Sequence, residues 1–181
     1  MDEDNTNAGF LNGTPSLNTL AGFIRTDINI TNKWRVLAAL RADKFSSPDE
    51  TYLAYELAST YKLNEKNLVR VAVTRSNSGS FIGYNYLNII VPTPLPGVSV
   101  TQSGNTDLSL FTINMIELGY RAQLTKNLQL DIDLFNQRAE NFTEITAMEF
   151  NPIIGRVSAY QFNNLPTTAI QNGATIGLNF V

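Results

Sequence analysis

Apolar residues in this chain recur at every second position, and helical spacing is hard to find. The period-two runs predict about seven long strands, near 18–31, 34–45, 51–62, 67–76, 108–124, 127–147 and 169–181. All seven prolines (Pro15, Pro48, Pro92, Pro94, Pro96, Pro152 and Pro166) fall outside these runs. That is expected, because proline cannot donate to a ladder and is expelled from strand interiors. Three short polar stretches, TNK at 31–33, LNEK at 63–66 and TKN at 125–127, have the chemistry of tight hairpin turns. The remaining connections are SSPDE at 46–50 and two long stretches near 77–107 and 148–168. Tight and long connections alternate, so an up-and-down meander places every tight turn at one end and every long loop at the other.

Successive strand side chains point to opposite faces. Sorted by parity, Trp34, Val36, Ala38, Leu40 and Ala42 oppose Arg35, Leu37, Ala39, Arg41 and Asp43. Ile116, Leu118, Tyr120 and Ala122 oppose Glu117, Gly119, Arg121 and Gln123, and Leu128, Leu130, Ile132 and Leu134 oppose Gln129, Asp131, Asp133 and Phe135. The mid-strand charges Arg25, Asp27, Arg35, Arg41, Asp43, Glu56, Arg70, Glu117, Arg121, Asp131 and Asp133 therefore share one face. Lys44, Arg75, Arg138 and Glu140 break the parity, all near the long-loop end, where a strand that outruns a membrane puts its charges in water.

Two architectures satisfy this pattern. One is a soluble antiparallel sheet with its apolar face packed inward. The other is a transmembrane barrel with its apolar face in lipid and its polar face lining the lumen. Three details favour the barrel. The charged face is rich in Arg and Asp but almost free of Lys, and its mixed signs suit a lateral ionic network. Strands of about 10–14 residues exceed the globular mode of about 5–6 and suit a tilted crossing. Trp34 and Tyr61 sit beside tight turns, where an interfacial aromatic girdle belongs.

Composition narrows the chemistry. The chain has 181 residues, 43% of them apolar, with a net charge of −3, no Cys and no His. It has no basic face for nucleic acid, and no disulfide, thiol nucleophile or histidine base. No apolar run is long enough for a transmembrane helix. The polar, acidic N-terminus lacks the basic and apolar regions of a signal peptide. Asp131 and Asp133 stand two apart on one strand face, about 7 Å by strand rise. They read as structural carboxylates facing Arg121 across the ladder rather than as a catalytic or metal pair. No catalytic residue, cofactor or metal is expected. In the longest loop, GSFIGYNY places Phe81, Tyr84 and Tyr86 as candidate ligand contacts beside the stiff run VPTPLPG.

The segments WRVLAALRADKFSS, TYLAYELASTYKLNEKNLVRVAVTRS and MIELGYRAQLTKNLQLDIDLFNQRAENF occur in that order. Together they resemble the C-terminal half of the barrel in TonB-dependent outer-membrane receptors, particularly of Bacteroidetes type. The resemblance rests on Arg41 with Asp43, the turn Leu63–Lys66, Arg70 with Ser76, Glu117–Arg121 and Leu128–Phe135. It covers about 18–147 well. It implies an all-β, antiparallel up-and-down meander that is part of a barrel of roughly 22 strands, in the bacterial outer membrane. The implied partners are outer-membrane lipid, a plug domain, the TonB complex and a bulky solute, siderophore- or glycan-like, whose identity is unknown. About seven strands, no plug and no TonB box make the chain read as a fragment or truncated product, with 1–17 as a polar loop segment and 18–181 as an incomplete barrel segment. Two alternatives stay open: a self-standing small outer-membrane barrel with a structural or pore role, and a soluble β-barrel binding a lipophilic ligand.

Overall fold

The computed structural model describes residues 10, 11 and 13–180. In chain order the elements are β1 (Thr19–Asn29), β2 (Trp34–Phe45), β3 (Thr51–Asn64), β4 (Asn67–Asn77), α1 (Ile82–Tyr86), β5 (Asn88–Pro92), β6 (Ser99–Ser103), β7 (Thr112–Gln123), β8 (Leu128–Glu140), β9 (Thr143–Asn151), β10 (Arg156–Asn164) and β11 (Ala169–Phe180). The seven long strands form one sheet in the order β1-β2-β3-β4-β7-β8-β11, every pair antiparallel and every neighbour next in the meander. The sheet is open, with β1 and β11 as its edges.

The connections alternate as expected. Tight turns follow β1, β3 and β7, and the long connections 46–50, 78–111 and 141–168 lie at the opposite end. Thr31 closes the first turn, its hydroxyl accepting from the backbone N–H of Lys33 and Trp34. Asn64 does the same for the second by accepting from Lys66 N–H. These are the short polar side chains that bend a backbone by replacing its ladder partners.

The long connections are not structureless. They fold into a second, four-stranded sheet in the order β5-β6-β10-β9, with α1 beside it. One pair in it, β10 with β6, is parallel. This corrects two expectations. The run 127–147 is not one strand: it breaks at Asn141, whose φ of 62° is left-handed, and the chain leaves the main sheet to start β9. The run 108–124 enters the sheet only at Thr112. Of the segment 1–17, Phe10 and Leu11 join this cap: Asn88 N–H donates to Phe10 C=O at 2.7 Å, and Leu11 bridges Leu87. Residues 1–9 and 12 lie outside the described residues, as does Val181 at the end of the expected barrel segment.

The two sheets bury different things. Most of the large buried side chains, Leu11, Phe45, Ile82, Leu108 and Leu110, belong to the cap and its junction with the strands. The main sheet leaves its apolar face bare: Ile24, Leu118 and Ile176 are 69%, 49% and 70% exposed. A water-soluble fold has no reason to build so large an apolar surface and leave it uncovered.

Candidate functional site

Registration fixes the two faces. Trp34 pairs with Tyr61, Tyr61 with Val69, and Val69 with Tyr120, which makes one row of apolar-face residues across β2, β3, β4 and β7 beside the tight turns. The polar tips of that row are satisfied: Trp34 Nε1 donates to Ser59 Oγ at 2.9 Å, and Tyr120 OH donates to Asn67 Oδ1 at 2.7 Å. At the other end of the same face stand the parity breakers Lys44, Arg75, Arg138 and Glu140. Lys44 pairs with Asp49 at 2.5 Å, and Arg138 with Glu140 at 2.6 Å. Trp34 to Lys44 is ten steps of about 3.4 Å along β2, and a tilt of about 40° reduces that to about 26 Å of height. The apolar band of a transmembrane barrel is about 25 Å tall.

The opposite face carries the expected charges, and most of them are joined. Arg35 holds Asp27 through Nε at 2.8 Å and a second contact through Nη2. Arg41 holds Asp43, two residues along the same strand, with Nη2 to Oδ1 at 2.6 Å. Arg70 on β4 pairs with Glu117 on β7 and reaches Asp133 on β8 at 3.8 Å. That reach spans an intervening strand, and Gly119 permits it. A Cβ at Gly119 would sit 2.7 Å from the Asp133 carboxylate and 3.6 Å from Arg70 Nε, so any side chain there would separate the pair. Arg121 meets Asp131 at 2.5 Å, and Gln129 and Asn179 donate to the second Asp131 oxygen at 2.7 and 3.1 Å. Among the described residues Arg25 and Glu56 make no ion pair.

Ion pairs and amide hydrogen bonds hold this face together. Both Asp131 oxygens accept hydrogen bonds, and among the described residues no three His, Cys, Asp or Glu side chains converge as a metal site. Its chemistry is that of a polar, cross-linked wall.

The second feature is the cap. Of the candidate loop contacts, Phe81 and Tyr84 come together edge-to-face with centroids 5.0 Å apart, and Tyr84 meets Phe162 of β10 at 4.8 Å. Tyr86, the third candidate, ends α1 and joins neither ring pair. Phe111 and Phe142, 5.1 Å apart, complete an aromatic cleft of about 280 Å³ with Phe81, Tyr84, Ser109 and Thr143. Phe111, Phe142 and Phe162 escaped the sequence reading because they belong to connections distant in the chain. The only local signal was their aromatic character.

Amide side chains lock the cap. Asn164 imitates a strand: its Oδ1 accepts from Ser109 N–H at 2.7 Å and its Nδ2 donates to Ser109 C=O at 2.9 Å. The same Nδ2 reaches Asn141 C=O at 3.2 Å. Asn105 Nδ2 donates to Asn163 Oδ1 at 3.1 Å, and Gln161 Nε2 to Gly104 C=O at 3.2 Å. Buried Asn85 donates to Ser80 Oγ at 2.8 Å and to Ser47 C=O at 3.3 Å, which ties α1 down to the 46–50 connection. Gly104 packs so closely under α1 that a Cβ would lie 2.5 Å from the Asn85 carbonyl.

An unpacked apolar face with an aromatic rim, an ion-paired polar face, tight turns at one end and a folded cap at the other define a segment of a transmembrane-type β-barrel. The sequence pattern of the family described as TonB dependent receptor-like, beta-barrel, matches residues 2–179, and the chain belongs to that family. The family is one of receptors and transporters, not of enzymes. No curated protein matches the chain by sequence. Among solved structures, the siderophore receptor PirA of Acinetobacter baumannii superposes with a TM-score of 0.74 at 18% identity, over 91% of this chain and 26% of that one. A mutant of the ferric enterobactin receptor PfeA of Pseudomonas aeruginosa gives 0.75 at 17% identity, over 92% and 25%. The hemophore receptor HasR of Serratia marcescens gives 0.72 at 12% identity, over 95% and 33%. At these identities the likeness is one of fold, and the chain spans about a quarter to a third of each receptor's length.

Proposed function

We propose that this chain forms part of the wall and part of the extracellular roof of a TonB-dependent importer in the bacterial outer membrane. The apolar face meets lipid, and the charges from Arg25 to Asp133 line the lumen. Residues 18–181 are the barrel segment and 1–17 a loop segment. A plug domain and the TonB complex supply gating and energy. The chain's own residues are structural and ligand-contacting, with no catalytic role. The solute is bulky, in keeping with the siderophores and heme named for the similar structures. Phe81 and Tyr84 belong to its extracellular contact surface, and Tyr86 supports them from the end of α1.

One observation carries this reading: the apolar face is bare between an aromatic row and a belt of charges, while the polar face is cross-linked by Arg–carboxylate pairs. This chain contains no cysteine, so an introduced one is the single thiol it contributes, and the receptor without the substitution serves as the labelling control. In cells carrying the receptor, Leu118→Cys on the apolar face should resist a membrane-impermeant maleimide and react with a lipid-soluble one. Thr175→Cys on the polar face should react with the membrane-impermeant reagent. Equal aqueous labelling at both positions would remove the membrane reading.

A further inference from the structure

We propose that the mouth of the lumen at the tight-turn end is a docking site for an acidic peptide segment lying inside the barrel. The proposal deepens the importer reading and rests on it.

The chain has five lysines, and four of them, Lys33, Lys62, Lys66 and Lys126, stand in or beside the three tight turns. The mid-wall cations Arg35, Arg41, Arg70 and Arg121 are arginines, each joined to a carboxylate. The two residue types differ in what they hold. A rigid guanidinium fork suits a fixed partner in the wall, and an ammonium on a flexible stem suits a partner whose position the sheet does not set. Among the described residues Lys33, Lys62 and Lys66 make no ion pair.

Register gathers these lysines on the polar face. Lys62 N–H donates to Lys33 C=O at 2.8 Å, which sets the two lysines opposite each other. Lys33 precedes Trp34 and Lys62 follows Tyr61, and those aromatics pair on the apolar face, so both lysines have the lumen parity. The row continues through Leu68 to Arg121. Lys66 stands nearer the turn, its C=O accepting from Gln123 N–H at 2.8 Å. Like charges directly opposite across a ladder destabilise a sheet. The Lys33–Lys62 pair is therefore a cost carried at the rim, and a carboxylate set between the two ammonium groups turns it into a gain.

The shape fits a chain rather than a small molecule. The cluster lines a concavity of about 690 Å³ whose lining holds four cations and one carboxylate, Glu65. Arg121 is taken by Asp131, which leaves three lysines against Glu65 and a surplus of two positive charges. Leu68 is the one apolar side chain in the lining. Small-molecule sites are mostly apolar with a few fixed polar groups. This one is the reverse, with mobile charges and amides around an open mouth, as at an interface set by charge complementarity. Three strand spacings separate Lys33 from Arg121, about 14 Å, which an extended peptide crosses with about four or five residues. Two carboxylates in such a peptide match the surplus. The lumen parity of the lysines sets it inside the barrel.

The test is zero-length carbodiimide coupling on the full-length receptor carrying this sequence, in isolated outer membranes, with the linked peptides identified by mass spectrometry. The reagent joins a lysine amine only to a carboxylate in contact with it. Lys33, Lys62 or Lys66 should link to a carboxylate of a lumenal segment outside the barrel strands, and raising salt from about 0.05 to about 0.5 M should lower the yield several-fold. Replacing all three lysines together, Lys33→Gln, Lys62→Gln and Lys66→Gln, should speed amide exchange in the linked segment about tenfold. The matching Lys33→Arg, Lys62→Arg and Lys66→Arg variant keeps the charge and cannot form the link, and should leave that exchange unchanged. Equal exchange in the two variants, links confined to carboxylates of the barrel wall, links to a separate protein, or no link at all overturns the docking site and leaves the importer reading in place. Absence of the receptor from the outer-membrane fraction overturns the importer reading itself.

Discussion

Leu118→Arg separates a lipid-facing sheet from a solvent-facing one by its magnitude. Leu118 stands mid-strand on β7, flanked by Val71 and Leu134, and is 49% exposed. If water covered that face, replacing a half-exposed strand residue with a charge would change stability by about 0.5 kcal/mol or less. If lipid covers it, an Arg near the bilayer midplane costs about 2–4 kcal/mol. That is a factor of about 30 to 900 in the folding equilibrium. The control is Thr175→Arg, on the polar face directly opposite Asp133, where the added cation gains a carboxylate neighbour and should cost under about 1 kcal/mol. The assay is reversible folding of the receptor into short-chain phosphatidylcholine vesicles against denaturant, followed by fluorescence and protease protection. Equal costs for the two substitutions, or a negligible cost for Leu118→Arg, would refute the assignment of the faces.

Other substitutions probe the wall and the cap. A double-mutant cycle of Arg70→Met and Glu117→Gln should give a coupling of about 1 kcal/mol or less that fades with salt, because Arg70 is partly solvated; a salt-insensitive coupling above about 3 kcal/mol would mean a dry lumen instead. Asn164→Ala strips Ser109 of both its backbone partners and should cost the cap about 1–3 kcal/mol, seen as faster amide exchange over 105–111 with β2–β4 unchanged. Gly104→Ala puts a methyl group against the backbone of Asn85 and Tyr86 and should loosen α1 at a cost on the order of 1–3 kcal/mol. Limited proteolysis near 82–104 reads the effect, and an unchanged cleavage pattern would show that the backbone yields cheaply.

The wall was legible because its information is local. Alternation marks each strand, parity marks each face, and Thr31 and Asn64 mark turns that close within a few residues. The bare apolar face was legible too, since a charge pattern that sorts so cleanly has only two architectural meanings. The cap was not. NIIVP and SVTQS are five-residue strands among prolines, and their pairing reaches β10 across an intervening hairpin of the wall. Asn141 gave no warning of the bend that ends β8, because asparagine is equally at home in a hairpin turn. Phe81 and Tyr84 stand out as aromatics within one long loop, whereas Phe111, Phe142 and Phe162 gain ring partners only where the fold lays distant segments side by side.

The lone parallel pair has a consequence for the order of assembly. Thr101 and Ser158, joined across it, are 57 residues apart in the chain. The wall's tight hairpins close over roughly four residues, and loop-closure entropy makes the longer closure cost about 2 kcal/mol more. Folding the β7–β8 hairpin first brings its flanking connections together and lowers that cost. The expected order is therefore wall first and roof second. The aromatic cleft comes into being only on a wall that is already standing.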